Sequence, residues 1–118
     1  MDLLTKAITD LESKSKALEV ARYDMQKLIY DKFKGKNISL ESDYNSYEQF
    51  VIEDVRVIIC KSDSTVEVIL YPKSTSEFKE RSLHAFVVEG ELKWQYDVYD
   101  KRFWMTDRFN VKEFTMET

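Results

Sequence analysis

The spacing of apolar side chains changes once along this chain, at Gly35, and that change limits what it can fold into more than any other feature. From Asp2 to Lys34 the residues Leu4, Ala7, Ile8, Leu11, Leu18, Ala21, Met25, Leu28, Ile29 and Phe33 recur at threes and fours, the period of a helix with one apolar face. Beyond Gly35 the period falls to two, the alternation of a strand buried on one side. The sequence therefore predicts an α+β fold in one domain, 1–118: a single long N-terminal helix over residues 2–34, packed on an antiparallel meander of about five or six strands over residues 37–116.

The helix carries its own end signals. Asp2 suits the N-cap, Gly35 stands where a C′ residue belongs, and Lys32 and Lys34 place positive charge at the negative end of the helix dipole. A helix of about 33 residues would be a rod of roughly 50 Å, whereas five strands span only about 20 Å between outer axes. Either the helix breaks near Ser13 to Lys16, or its first turns project past the sheet with Leu4 and Leu11 seeking a partner.

Strands follow from the alternation. Ile38 to Leu40 reads as a short strand, Phe50 to Cys60 and Val66 to Leu70 as a hairpin, and Leu83 to Val88 and Leu92 to Val98 as a second hairpin about Glu89-Gly90. Pro72 ends the third strand, and Ser74 with Glu77 has capping-box spacing for a turn or two of helix. The tail from Phe103 to Met116 adds one or two further strands.

Apolar residues make up 43% of the chain, enough for a core without disulfides, metal or cofactor. The start, Met1-Asp2-Leu3-Leu4, lacks the basic and unbroken apolar segments of a signal peptide, and no run approaches the length of a membrane span. A cytoplasmic protein with no membrane partner is expected. Cys60, the only cysteine, lies after Ile58 and Ile59 and reads as a small core hydrophobe. The scarcity of Gly and Pro beside abundant Lys, Tyr, Phe, Asp and Ile matches AT-rich codon usage, as in a phage, a plasmid or a Firmicute.

Several chemistries are excluded or left without support. One histidine and one cysteine cannot build the usual zinc sets. Asp43-Tyr44-Asn45 with Glu48 has the wrong third ligand and no glycine for a calcium loop, and two isolated glycines cannot make a phosphate loop. His84 sits in a strand among apolar neighbours, and spacing alone places no carboxylate or nucleophile beside it. No catalytic, metal or cofactor residue is assigned, and the chain is expected not to be an enzyme.

The net charge is −4, with Glu41, Asp43, Glu48, Glu53 and Asp54 forming a cation-free run. Neither end is basic enough for a general grip on phosphates, so nucleic acid is an unfavoured partner. Trp94, Tyr96, Tyr99, Phe103, Trp104 and Phe109 are interleaved with Lys101, Arg102 and Arg108, the residue types that anchor protein interfaces. If Phe103 and Met105 point inward, Trp104 points outward. The leading expectation is a non-enzymatic protein-binding module, self-associating and acting as a small phage- or plasmid-type inhibitor by covering a partner's surface. Leu4, Leu11, Arg102, Phe103, Trp104, Glu41, Asp43 and Glu48 would form its contact surface. The alternative is a cone-shaped ligand-binding domain, architecturally similar to cystatin-like or NTF2-like folds, with His84, Trp94 and Tyr96 lining a pocket between helix and sheet.

Overall fold

A computed structural model describes residues 4–6, 8–9, 19–60 and 65–116. Its six strands run β1 Asn37–Ser42, β2 Glu48–Cys60, β3 Thr65–Pro72, β4 Lys79–Val88, β5 Glu91–Asp100 and β6 Met105–Met116. Each pairs antiparallel with the next, and β6 returns to β1, closing a barrel. Closure follows from two long strands that change partners. The start of β2 pairs with β1 up to Asn37↔Val51, and from Ile52 onward β2 pairs with β3. β6 pairs with β5 up to Asn110 and with β1 from Val111. Both changes coincide with register shifts, one at Ile52/Asp54, where Glu53 is the extra residue of β2, and one opposite Glu41/Ser42, where Lys112 is the extra residue of β6. A bulge of this kind bends a strand enough to turn a sheet corner. Joining the last strand to the first removes the two free edges that an open sheet would present.

The expected architecture is corrected at its first element. The chain has no long N-terminal helix; the helix α1 is Glu19–Phe33, and residues 4–6 and 8–9 are also helical. Leu4 and Ile8 share one buried core with Ile29 and Phe33. In a straight helix Leu4 and Phe33 would stand about 44 Å apart, about the whole 42 Å of the molecule's longest principal axis. With Leu4 and Phe33 in one core, the helical pieces do not form the long rod over the sheet that the spacing predicts. The proposed break near Ser13 to Lys16, the Asp2 cap and Leu11 all lie outside the described residues.

α1 serves as a stopper. Beyond Ile52, β2 has no sheet neighbour on its β1 side, and β5 has none on its β6 side before Gln95. The barrel is splayed at this end, and the helix covers the opening. Ile29 and Phe33 are buried, the Phe33 ring meets Trp94 edge-on at 6.5 Å, and Tyr30 packs at the margin of the core. Lys36 N–H donates to the Phe33 carbonyl at 3.1 Å and Gly35 N–H to Ile52 at 2.8 Å. Gly35 has φ +78°, which a glycine adopts without strain. The helix thus ends at the residue its sequence signals indicate, while only one side of the apolar stripe is used: Leu28 is 64% exposed and Tyr23 is exposed too.

Inside the barrel, alternate residues of each strand meet. Leu40, Ile52, Val68, Leu70, Leu83, Ala85 and Tyr96 are buried, and Trp94 stacks on Phe114 at 4.3 Å. The second hairpin turns at Glu89-Gly90 with φ +52° and +78°, the double left-handed pattern of the tight turn that suits strand twist. Glutamate is poorly suited to that backbone and asparagine is well suited. Glu89→Asn is expected to raise stability by about 0.5–1 kcal/mol, read as a higher denaturation midpoint at unchanged m-value. The helical turn expected after Ser74 does not form. Ser76 Oγ instead accepts from the N–H groups of Phe78 and Lys79 at 3.3 Å, turning the chain into β4.

Candidate functional site at the open end of the barrel

A meander sends alternate connections to opposite ends. The connections 43–47, 73–78 and 101–104 gather at the end away from α1, and Tyr47, Phe78, Phe103, Trp104 and Met105 are all exposed there. The last four are held together. Lys101 N–H donates to the Phe78 carbonyl at 2.8 Å, tying the β5–β6 turn to the β3–β4 connection. Asp100 Oδ1 accepts from Arg102 N–H at 3.0 Å and from Arg102 Nε at 3.1 Å, and Oδ2 accepts from Arg102 Nη2 at 3.0 Å. The guanidinium then lies 5.1 Å from the Phe78 ring centre and 5.4 Å from that of Phe103, within cation–π range of both. Arg102 acts as the mortar between two exposed rings.

Those hydrogen bonds from Arg102 hold the Asp100 carboxyl below the usual carboxylate range. A depressed folded-state pKa means that the stabilisation is present above the ordinary carboxylate value and is lost as pH falls through the lowered one. In Arg102→Ala the Asp100 carboxyl is expected to titrate back in the ordinary range, followed by its side-chain carbonyl carbon in NMR. No change between wild type and variant would show that the pair does not persist in solution.

Trp104 follows at φ +55° and is 83% exposed. A left-handed backbone at a bulky residue costs of order 1 kcal/mol, and the Trp104 side chain, in solvent, makes no packing contact that offsets it. Trp104 is outward as expected, but for a different reason. Phe103 and Met105 are not inward; all three are exposed on a turn, where strand alternation does not apply.

Beneath the connections the barrel interior is polar. Tyr96 hydroxyl donates to both oxygens of buried Glu48 at 3.3 and 3.2 Å, and Arg81 Nη1 lies 3.5 Å from Glu48 Oε2. Lys79 Nζ donates to Tyr44 hydroxyl at 3.3 Å. Burial first, then the Glu48 charge, pushes the Tyr96 hydroxyl well above the ordinary tyrosine range, so it remains a donor. This network anchors the connection 43–47 from below, with the Tyr44 ring 4.9 Å from that of Phe109.

The expected contact residues divide accordingly. Arg102, Phe103 and Trp104 come together. Leu4 is 1% exposed and belongs to the core, and Glu48 is buried against Tyr96 and Arg81, so neither is available to a partner. Glu41 is partly buried on β1; Asp43 is exposed, 3.7 Å from Lys112 Nζ. The alternative pocket does not assemble: Tyr96 and Trp94 fill the interior, whereas His84 lies on the outer face with Ser82, Glu67 and Asp97. Phe78 and Met105 were missed by sequence reasoning. Only the pairing Lys79↔Asp100 brings Phe78 beside the β5–β6 turn.

Fold and site together define a small closed antiparallel barrel, stoppered by a helix at one end and tipped with aromatic residues at the other. The chain matches no family model, no curated protein and no solved structure. Among the described residues no helix is long and apolar enough to cross a membrane, and no group of side chains is suited to a metal ion.

Proposed function

We propose that this chain is a protein-binding module that anchors its partner by the tip Phe78, Arg102, Phe103, Trp104 and Met105. The observation that carries this reading is Trp104: it is 83% exposed on a strained backbone, next to two exposed rings already clamped by an arginine. Tryptophan and arginine dominate binding hot spots because they fill desolvated pockets with large area at small entropic cost. The tip protrudes, so the partner offers a concave apolar pocket. A stable interface covers about 800 Å² a side, which the tip alone falls short of; Tyr47 and the connections 43–47 and 73–78 supply the rim.

Charge favours a protein over nucleic acid. Lys101 pairs with Glu80 at 2.9 Å and Arg102 with Asp100 at 3.0 Å, leaving no cluster of unopposed cations for phosphates at the tip. Action as a cytoplasmic inhibitor that covers a partner's surface suits this small acidic chain, and a phage or plasmid source rests on amino-acid usage alone. Among the described residues of the helix, Tyr23 and Leu28 are the exposed apolar side chains that self-association would use, Leu4 being in the core; light scattering on wild type and Leu28→Asp tests it, and a monomeric wild type would remove it. Affinity capture with the wild-type chain and with Trp104→Ala tests the main reading. Binding partners retained by the first and lost by the second are expected, and equal retention by both would overturn it.

A further inference from the structure

The outer face of β3, β4 and β5 carries a second arrangement, independent of the tip. Ser82 and His84 alternate with the buried Leu83 and Ala85, so both project outward. Ser82 Oγ lies 2.9 Å from His84 Nε2, and His84 Nδ1 is hydrogen-bonded to Glu67 Oε1. Glu67 on Nδ1 favours the tautomer with the proton there and Asp97 near Nε2 favours the other; the Nδ1–H form is the one in which Nε2 accepts from the serine hydroxyl. Nucleophile, base and orienting acid are thus in series, within the reach that activates a serine.

We propose that Ser82 is a nucleophile activated by His84 and Glu67, and that this face cleaves short-chain carboxylic esters. Ser82 Oγ attacks the ester carbonyl carbon and its proton passes to Nε2. The tetrahedral intermediate collapses, the carbon–oxygen bond to the leaving group breaks, and the departing alkoxide takes the Nε2 proton. Water then attacks the acyl-serine, gives a proton to Nε2, and releases the carboxylic acid as Ser82 Oγ recovers that proton. Ester and water become acid and alcohol, with no other reactant.

The surroundings fit this chemistry. Asp97, opposite Ser82 in the ladder, places Oδ2 3.4 Å from Nε2, so the imidazolium formed during attack lies between two carboxylates. Gln95 Nε2 donates to Asp97 Oδ1 at 2.9 Å and holds that group in place. Arg108, opposite Asp97 on β6, approaches its Oδ2 through Nε at 3.7 Å and keeps 71% of its side chain in solvent. Its guanidinium is the donor on this face for the developing oxyanion, since the ladder occupies backbone N–H groups in paired strands. Glu67, Gln95, Asp97 and Arg108 make the face polar, so it accommodates a short acyl group. Nδ1 and Nε2 lead to carboxylates on opposite sides of the ring, so these groups cannot converge on one cation.

Fluorophosphonate labelling and hydrolysis of 4-nitrophenyl acetate test the proposal on the intact chain. Peptide mapping of labelled wild type is expected to place the adduct on Ser82, a readout that needs no variant. Ser82→Ala and His84→Gln are expected to lower the hydrolysis rate about a hundredfold or more. Glu67→Gln is expected to lower it at least about tenfold without abolishing labelling. An unlabelled Ser82, or a folded Ser82→Ala that hydrolyses the ester like wild type through the imidazole alone, would overturn it. The adduct is read at Ser82 and partner capture at the tip, so failure here and failure of the binding reading are separable.

Discussion

Replacing Leu4 with alanine is expected to destabilise the fold by about 2–5 kcal/mol and to leave association with any partner unchanged once the protein is folded. Leu4 is 1% exposed and shares a core with Ile8, Ile29, Phe33 and Ile38. Truncation there removes buried methyl groups and leaves a void that a close-packed interior fills only in part. A domain of this size has about 5–15 kcal/mol of stability in all, so the loss is a large fraction of it. Chemical denaturation with the wild-type m-value measures the effect. If Leu4→Ala proved as stable as wild type, Leu4 would not be part of the core.

At Trp104 the opposite pattern is expected. Trp104→Ala removes an anchor and should weaken partner binding by about 2–4 kcal/mol, thirtyfold to nearly a thousandfold. Stability should be little changed, because the side chain buries almost nothing in its own chain. Trp104→Gly separates the two roles more sharply. At φ +55° glycine is unstrained, so the folded state should gain up to about 1 kcal/mol, offset partly by the greater freedom of the unfolded chain. Binding should be lost as in the alanine variant. A variant more stable than wild type that no longer binds would identify Trp104 as retained for contact with another molecule. A marked fall in stability in either variant would instead give it a place in the fold.

The two substitutions expose where periodicity misleads. Leu4, Leu28 and Phe33 belong to one repeat in the sequence, yet Leu4 and Phe33 are buried and Leu28 is 64% exposed. A repeat shows that a segment is helical and has an apolar side; it does not show that the segment is straight, because a reversal preserves the spacing on each side of it. The strands were easier to read. The turn at Glu89-Gly90, the end of β3 at Pro72 and the end of α1 before Gly35 are properties of a few adjacent residues, and each lies where local chemistry places it. Asp97 marks the limit of alternation: it occupies an outward position and is still buried, because Gln95, His84 and Arg108 close over it.

Neither candidate site was legible as a site. Arg102, Phe103 and Trp104 are contiguous and were visible as a cluster, whereas Phe78 joins them through the strand pairing that sets Lys79 against Asp100 and Glu80 against Tyr99. Ser82 and His84 stand two apart, but Glu67 reaches His84 only because β3 and β4 pair with Ile69 opposite His84. By itself the sequence determined the strands, their turns and the place where helix gives way to sheet, since these depend on backbone preferences within a few residues. Tertiary structure alone decided that the sheet closes, that Leu4 and Ile8 join its core, and which side chains from distant strands share a surface. Those outcomes rest on register and on bends at two bulges, and a shift of one residue in either would turn every side chain beyond it to the other face.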